Sequence, residues 1–182
     1  LFNTLNSIAG LIEEGSATRA ERMVMSLSTF LRTTLALDPM HDVPLADELA
    51  LQQDYLAIER ERYSDRMDFS VDVPAEALQA LVPSLLLQPL VENAIKHGVG
   101  PSLAHTRIRI SARRRDGRLW LAVENDLDAN APRRAGVAGF GIGLRNVAER
   151  IRVRFGEAGS LRIATGDGTH FRAEIELPWK AA

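Results

Sequence analysis

The chain has 182 residues, 46% hydrophobic and 25% charged, the make-up of one globular domain or of a domain with a helical appendage. A net charge of −2 gives no general pull toward nucleic acid or anionic membrane, and the lack of cysteine excludes disulfides and thiolate metal sites. The longest apolar runs, such as LVPSLLLQPLV, fall far short of a bilayer span and are broken by proline.

The first element is already under way at the first residue. LFNTLNSIAGLIEE places Leu1, Leu5, Ile8 and Ile12 on one stripe of a helix, and Gly15-Ser16 stops it. In ATRAERMVMSLSTFLRTTLAL, Ala20, Met23, Leu27, Phe30, Thr34 and Leu37 repeat the helical spacing. So short a connection makes the two helices antiparallel neighbours. The stripes Leu1/Leu5/Ile8/Ile12 and Met23/Leu27/Phe30/Leu37 are too much apolar surface for a lone hairpin, which favours a homodimer through a four-helix bundle. Asp38-Pro39 ends the second helix. A third fits PLADELALQQDYLAIERERYSD, with Pro44 near its first turn and carboxylates early, where the helix dipole favours them.

From Met67 the period changes. MDFSVDV alternates like a half-buried strand, while AEALQAL and PSLLLQPLVENAIKHG return to helix. TRIRISARRRDGRLWLAVEND reads as two strands joined at Asp116-Gly117, a strong hairpin signal. Residues 127 to 143 are rich in Ala, Gly and Pro and suit a mobile loop. Helix GLRNVAERIRVRFG and strands SLRIAT and HFRAEIELP follow. The expected fold is α+β: an antiparallel helical hairpin, then an α/β sandwich with a mixed, mainly antiparallel sheet. The boundary falls near residues 64–67, dividing the chain into 1–64 and 65–182.

Chemistry concentrates in two stretches. On a helix, Pro89, Glu92, Asn93, Lys96 and His97 of PLVENAIKHG share one arc of about 140°. Leu87, Leu90, Val91, Ala94 and Ile95 take the other side. An amide oxygen suits Mg²⁺, an ammonium meets phosphate charge, and a carboxylate polarises a hydroxyl or water. Alone, the stretch fits equally an ordinary amphipathic helix with a solvated face. In GVAGFGIGLRNVAERI, Gly139, Gly141 and Gly143 alternate just before a helix, whose N-terminus presents free N–H groups to phosphate. Alone, this is a flexible loop before a helix.

Taken in order, PLVENAIKHG, VEND, GFGIGLRN and GTHFRAEIELP resemble the N, D, G and final Gly-Thr boxes of the GHKL (Bergerat) ATP-binding fold of gyrase, histidine kinases and MutL. Upstream, LFNTLNSI and VPLADELALQQDYLAIERERYSDRM resemble the phosphoacceptor and dimerisation region of LytS-like sensor histidine kinases. In that family the leading motif reads Asn-Pro-His-Phe-Leu-Phe-Asn, of which Leu1-Phe2-Asn3 is present. The resemblance therefore places the phosphoaccepting histidine two residues before Leu1.

The resemblance implies Asn93 as Mg²⁺ ligand and Glu92 as the neighbour that helps the acceptor histidine attack. Lys96 and His97 would lie along the phosphates of ATP. Gly139, Gly141 and Gly143 would form a lid hinge, with Ile142 also at the nucleotide and Leu144 and Asn146 opening the next helix. Gly168 and Thr169 would sit beside the purine pocket. Asn125 aligns with the adenine-reading aspartate, but both glycines of the usual Asp-x-Gly-x-Gly are missing after it, which predicts weaker or less selective nucleotide binding. The implied activity is the kinase core of a sensor histidine kinase. Mg·ATP would phosphorylate a histidine, then an aspartate on a response regulator. The parent protein would sit at the cytoplasmic face of the inner membrane, held only by N-terminal segments outside these residues. Its rivals are a non-catalytic nucleotide-switch scaffold and a GHKL ATPase in which Glu92 activates water. His41, His105 and His170 lack metal-ligand spacing, and the arginines at 113–115 suit a solvated turn rather than a nucleic-acid patch.

Overall fold

A computed structural model describes residues 2–38, 41–63, 66–128, 141–166 and 168–181, the side chains of Phe2 and Asn3 excepted. Helices α1 (Phe2–Glu13) and α2 (Ala17–Ala36) form the expected antiparallel hairpin, turned at Gly15 with a φ of 73° that favours glycine. Much of its seam is buried within the chain itself. Ile8, Leu11, Ala20, Met23, Leu27 and Phe30 pack into the chain's own core, with α3 (Leu45–Tyr63) against both helices and Phe30 stacked on Tyr55 at 5.3 Å. Of the stripes expected to dimerise, Ile8, Met23, Leu27 and Phe30 are thus occupied within the chain, while Leu5 and Ile12 stay exposed, as do Met25 and Leu35.

The sheet follows from the alternation. Strands β2 (Met67–Asp72), β4 (Thr106–Arg115), β5 (Arg118–Asp126), β6 (Ser160–Ala164) and β7 (His170–Pro178) lie in the order β2-β4-β5-β7-β6. β2 and β4 are parallel and the other neighbours antiparallel. This is the mixed, mainly antiparallel sheet expected. Asp116 and Gly117 turn the β4–β5 hairpin at φ 51° and 70°. Ile108, Ile110, Leu119, Leu121, Val123, Ala173, Ile175 and Leu177 fill one face, each worth about 1.5–3 kcal/mol on full burial for the larger side chains. The other face carries a lattice of ion pairs: Arg113 with Asp72 at 2.8 Å, Arg172 with Glu124 at 2.7 Å and Arg107 with Asp126 at 3.1 Å.

Two short strands escape the periodicity. β1 (Asp42–Pro44) pairs with β3 (Leu81–Pro83), and the amide of Leu45 bonds the carbonyl of Ala80. This seats α3 beside the sheet domain, joined there by the short α4 (Ala75–Leu78). Where one helix was expected from Pro83 to Gly98, the structure has a turn at 84–87, α5 (Gln88–Ala94) and a π-helical turn at Ile95–Val99. Leu85 adopts φ 56°, incompatible with a continuing helix. The last helix, α6 (Ile142–Phe155), starts just after Gly141. No described helix is long and apolar enough to cross a membrane.

Candidate functional site

The two arcs predicted for α5 are those observed. Leu90, Val91, Ala94 and Ile95 are buried against the sheet side, whereas Glu92 and Lys96 are exposed and Pro89, Asn93 and His97 half-buried. Glu92 is steadied by its neighbour one turn back, Gln88 Nε2 donating to its Oε1 at 2.8 Å. The π-turn that carries Lys96 and His97 is a local widening of the helix of a kind frequent at functional sites.

Elements distant in sequence meet around this helix. At its carboxyl end, a Cβ on Gly98 would stand 2.3 Å from Asn125 Nδ2 at the end of β5, so only glycine lets helix and strand approach so closely. Asn125 is 2% exposed, and its Nδ2 donates to the carbonyl of Asp126 at 2.9 Å. At the amino end, a Cβ on Gly143 would touch Pro89 at 3.6 Å, which puts the start of α6 beside the start of α5. The amide of Leu127 bonds the carbonyl of Thr169 at 2.7 Å, tying the Gly168-Thr169 turn to the strand end that follows Asn125. Gly141, Ile142, Gly143 and Asn146 are exposed, Ile142 at 79%, while Leu144 is buried and seats α6 rather than facing outward. Gly139 lies outside the described residues.

A hollow of about 590 Å³ opens on the uncovered face of the sheet among Asp72, Arg109, Glu124 and His170, and reaches Asn125 at the end of β5. Its charges are spent on one another: Arg109 pairs with Asp72, and His170 lies 3.5 Å from Asp126. His41 and His105 likewise pair on the surface, with Asp38 at 2.8 Å and Asp68 at 3.2 Å.

Among the described residues no three His, Asp or Glu side chains gather as a metal cage. Asn93 instead offers a single amide oxygen, a donor that Mg²⁺ accepts alongside phosphate oxygens and water. The donor set fits a magnesium ion that arrives with a nucleotide.

Two features escape sequence reasoning. Glu48 is only 1% exposed, and its carboxylate accepts from the amides of Leu85 at 2.5 Å and Leu87 at 3.0 Å. Burial pushes its carboxyl above the ordinary range, against the pull of those amides and of Arg150. Tyr55, also on α3, has its phenol pushed up by burial first and then by the charges of Glu59 and Glu92. The signal was present, because Glu48 and Gln52 fall on the arc of α3 that carries Leu45, Leu49 and Leu56. A polar residue at a core position asks for a partner.

The family model described as histidine kinase matches residues 1–67, and that of the histidine kinase-, DNA gyrase B- and HSP90-like ATPases matches 80–180. The chain is 37% identical over 180 residues to the sensor histidine kinase BtsS of Escherichia coli K12, covering 99% of this chain and 31% of that protein. It is 34% identical over 181 residues to the sensor histidine kinase YesM of Bacillus subtilis, covering 98% of this chain and 31% of that protein. With the sensor histidine kinase/phosphatase LytS of Staphylococcus aureus Mu50 it shares 28% identity over 188 residues, covering 93% and 31%. The chain thus spans about a third of the length of these curated relatives. In structure it is similar to the histidine kinase domain of the Erythrobacter litoralis blue-light activated kinase, with a TM-score of 0.55 and 18% identity over 92% of this chain and 82% of that one. The Acinetobacter baumannii histidine kinase AdeS gives a TM-score of 0.57 at 14% identity, over 96% and 92%. Both bear out the α+β GHKL architecture.

Proposed function

The chain belongs to the family of histidine kinase-, DNA gyrase B- and HSP90-like ATPases, and on that premise we propose that it is the kinase core of a membrane-anchored sensor histidine kinase. Residues 1–64 belong to the helical dimerisation and phosphoacceptor region, without the acceptor histidine itself, and 65–182 form the Mg·ATP-binding domain. The observation that supports this most is the meeting of separate sequence boxes around α5: Pro89 with Gly143, Gly98 with Asn125, Leu127 with Thr169.

In this reading Asn93 would hold the magnesium ion, which would supply charge neutralisation at the triphosphate. Lys96 and His97 lie along the phosphates, and the glycines opening α6 let backbone N–H groups approach them. Asn125, Gly168 and Thr169 face the base. Glu92, held by Gln88, accepts a hydrogen bond from the acceptor imidazole and turns its other nitrogen toward the γ-phosphorus. Catalysis is positioning and charge stabilisation. The phosphoryl group then passes to a response-regulator aspartate. The apolar side chains left on the hairpin surface, Leu5, Ile12, Met25 and Leu35, support a homodimer through the helical region. The parent protein works at the cytoplasmic face of the membrane.

Calorimetry tests the site. The chain should bind Mg·ATP, and Asn93→Ala should weaken binding more than tenfold, about 1.4 kcal/mol, without loss of fold. Equal affinity in wild type and variant, with and without Mg²⁺, would sink the assignment. None of His41, His97, His105 and His170 is the acceptor in this reading, so an acid-labile label from γ-labelled ATP should map to none of them.

A further inference from the structure

The amino end of α5 is gripped from two sides by charges that belong to other helices. From α3, the Glu48 carboxylate takes the amides of Leu85 and Leu87. From α6, the Arg150 guanidinium donates to the carbonyl of Ser84 at 2.7 Å and of Leu85 at 3.5 Å. Opposite charges thus occupy the donors and acceptors of one four-residue turn, whose Leu85 holds the left-handed backbone that leucine rarely adopts. A carboxylate this deeply buried is costly unless such amides receive it. Nothing local in sequence supplies the grip. Glu48 lies 37 residues before Leu85, and Arg150 lies 66 after Ser84.

The consequence is geometric. Glu92 and Asn93 stand on the first two turns of α5, so the seat of Ser84–Leu87 sets where their side chains point. We propose that Glu48 is a positioning residue for the nucleotide site, acting through the turn Ser84–Leu87, with Arg150 as its counterpart on the far side. α3 and α6 are thereby referenced to one short turn, and the helical region and the glycine-led helix both set the placement of α5. This rests on the reading of α5 as the Mg·ATP helix.

The test uses the full 182-residue chain with Glu48→Gln, Arg150→Met, their double variant and Leu56→Ala, a fully buried residue of α3 eight residues beyond Glu48. Mg·ATP affinity is measured by calorimetry, melting by circular dichroism, and amide exchange at Leu85 and Leu87 by NMR. Glu48→Gln and Arg150→Met should each weaken Mg·ATP at least fivefold, speed exchange at those amides, and combine less than additively. Leu56→Ala should lower the melting temperature yet keep the affinity within twofold. If Glu48→Gln does not fold, Arg150→Met and Arg150→Lys probe the same turn, with lysine restoring part of the affinity. Folded variants that bind Mg·ATP within twofold of wild type while exchange accelerates would overturn the positioning role alone. A wild type that binds no Mg·ATP would overturn the nucleotide site itself, which is a different failure.

Discussion

Helices α5 and α6 begin side by side, Pro89 against Gly143, yet their first turns are built in opposite ways. The turn before α5 is sunk in the core, with Leu86 and Leu87 fully buried and its peptide groups held by Glu48 and Arg150. The start of α6 is open among the described residues: Gly141, Ile142 and Gly143 are exposed, and no described side chain caps it. One side of the proposed nucleotide site is therefore fixed by burial and charge. The other has few contacts to lose, which is the condition for local opening at low cost.

The largest effect should come from emptying the fixed side. Leu86→Ala removes a fully buried side chain and should cost about 2–5 kcal/mol in urea denaturation. Ile142→Ala, its counterpart at the open start, should stay within about 0.5 kcal/mol. Similar losses at both positions would erase the contrast. Gly98→Ala comes next. Its Cβ would meet Asn125 at 2.3 Å, and overpacking of this kind costs about 1–3 kcal/mol. Adding Asn125→Ala should recover part of that loss, a coupling that a double-mutant cycle reads directly.

Gly143→Ala should act in the opposite sense. Its Cβ meets Pro89 at an ordinary 3.6 Å, and a helical glycine so replaced gains about 0.5–1 kcal/mol. Thermal unfolding should rise while Mg·ATP binding weakens, because the start of α6 loses backbone freedom. The smallest effect is one of pH. Burial holds Glu48's folded carboxyl above its unfolded value, so the folded state takes up that proton first. The stability this group contributes is present below the unfolded pKa and lost as pH rises through the folded one. Urea midpoints of wild type and Glu48→Gln, compared at several pH values, should shift against the wild type as pH rises through that window.

Local sequence carried much of this protein. Periods of 3.6 and 2 located the hairpin helices, α3, α6 and the five main strands, because each rests on which residues face one side of a single element. The Asp116-Gly117 turn was legible for the same reason, and box order put Pro89 near Gly143 and Gly98 near Asn125, as they lie. What no window of residues contains is which surface each apolar face meets. The seam of α1 and α2, read as a dimer interface, is largely covered by α3, and β1 and β3 exist only because they pair across the residues between Pro44 and Leu81. The acidic start of α3 looked like helix-dipole chemistry, yet Glu48 points inward to a turn 37 residues on. The helix expected from Pro83 breaks at 84–87, where Leu85 takes a φ of 56° and the amides of Leu85 and Leu87 donate to that carboxylate. Only the tertiary structure decided these, because a buried charge and the groups that satisfy it come together only when distant elements pack.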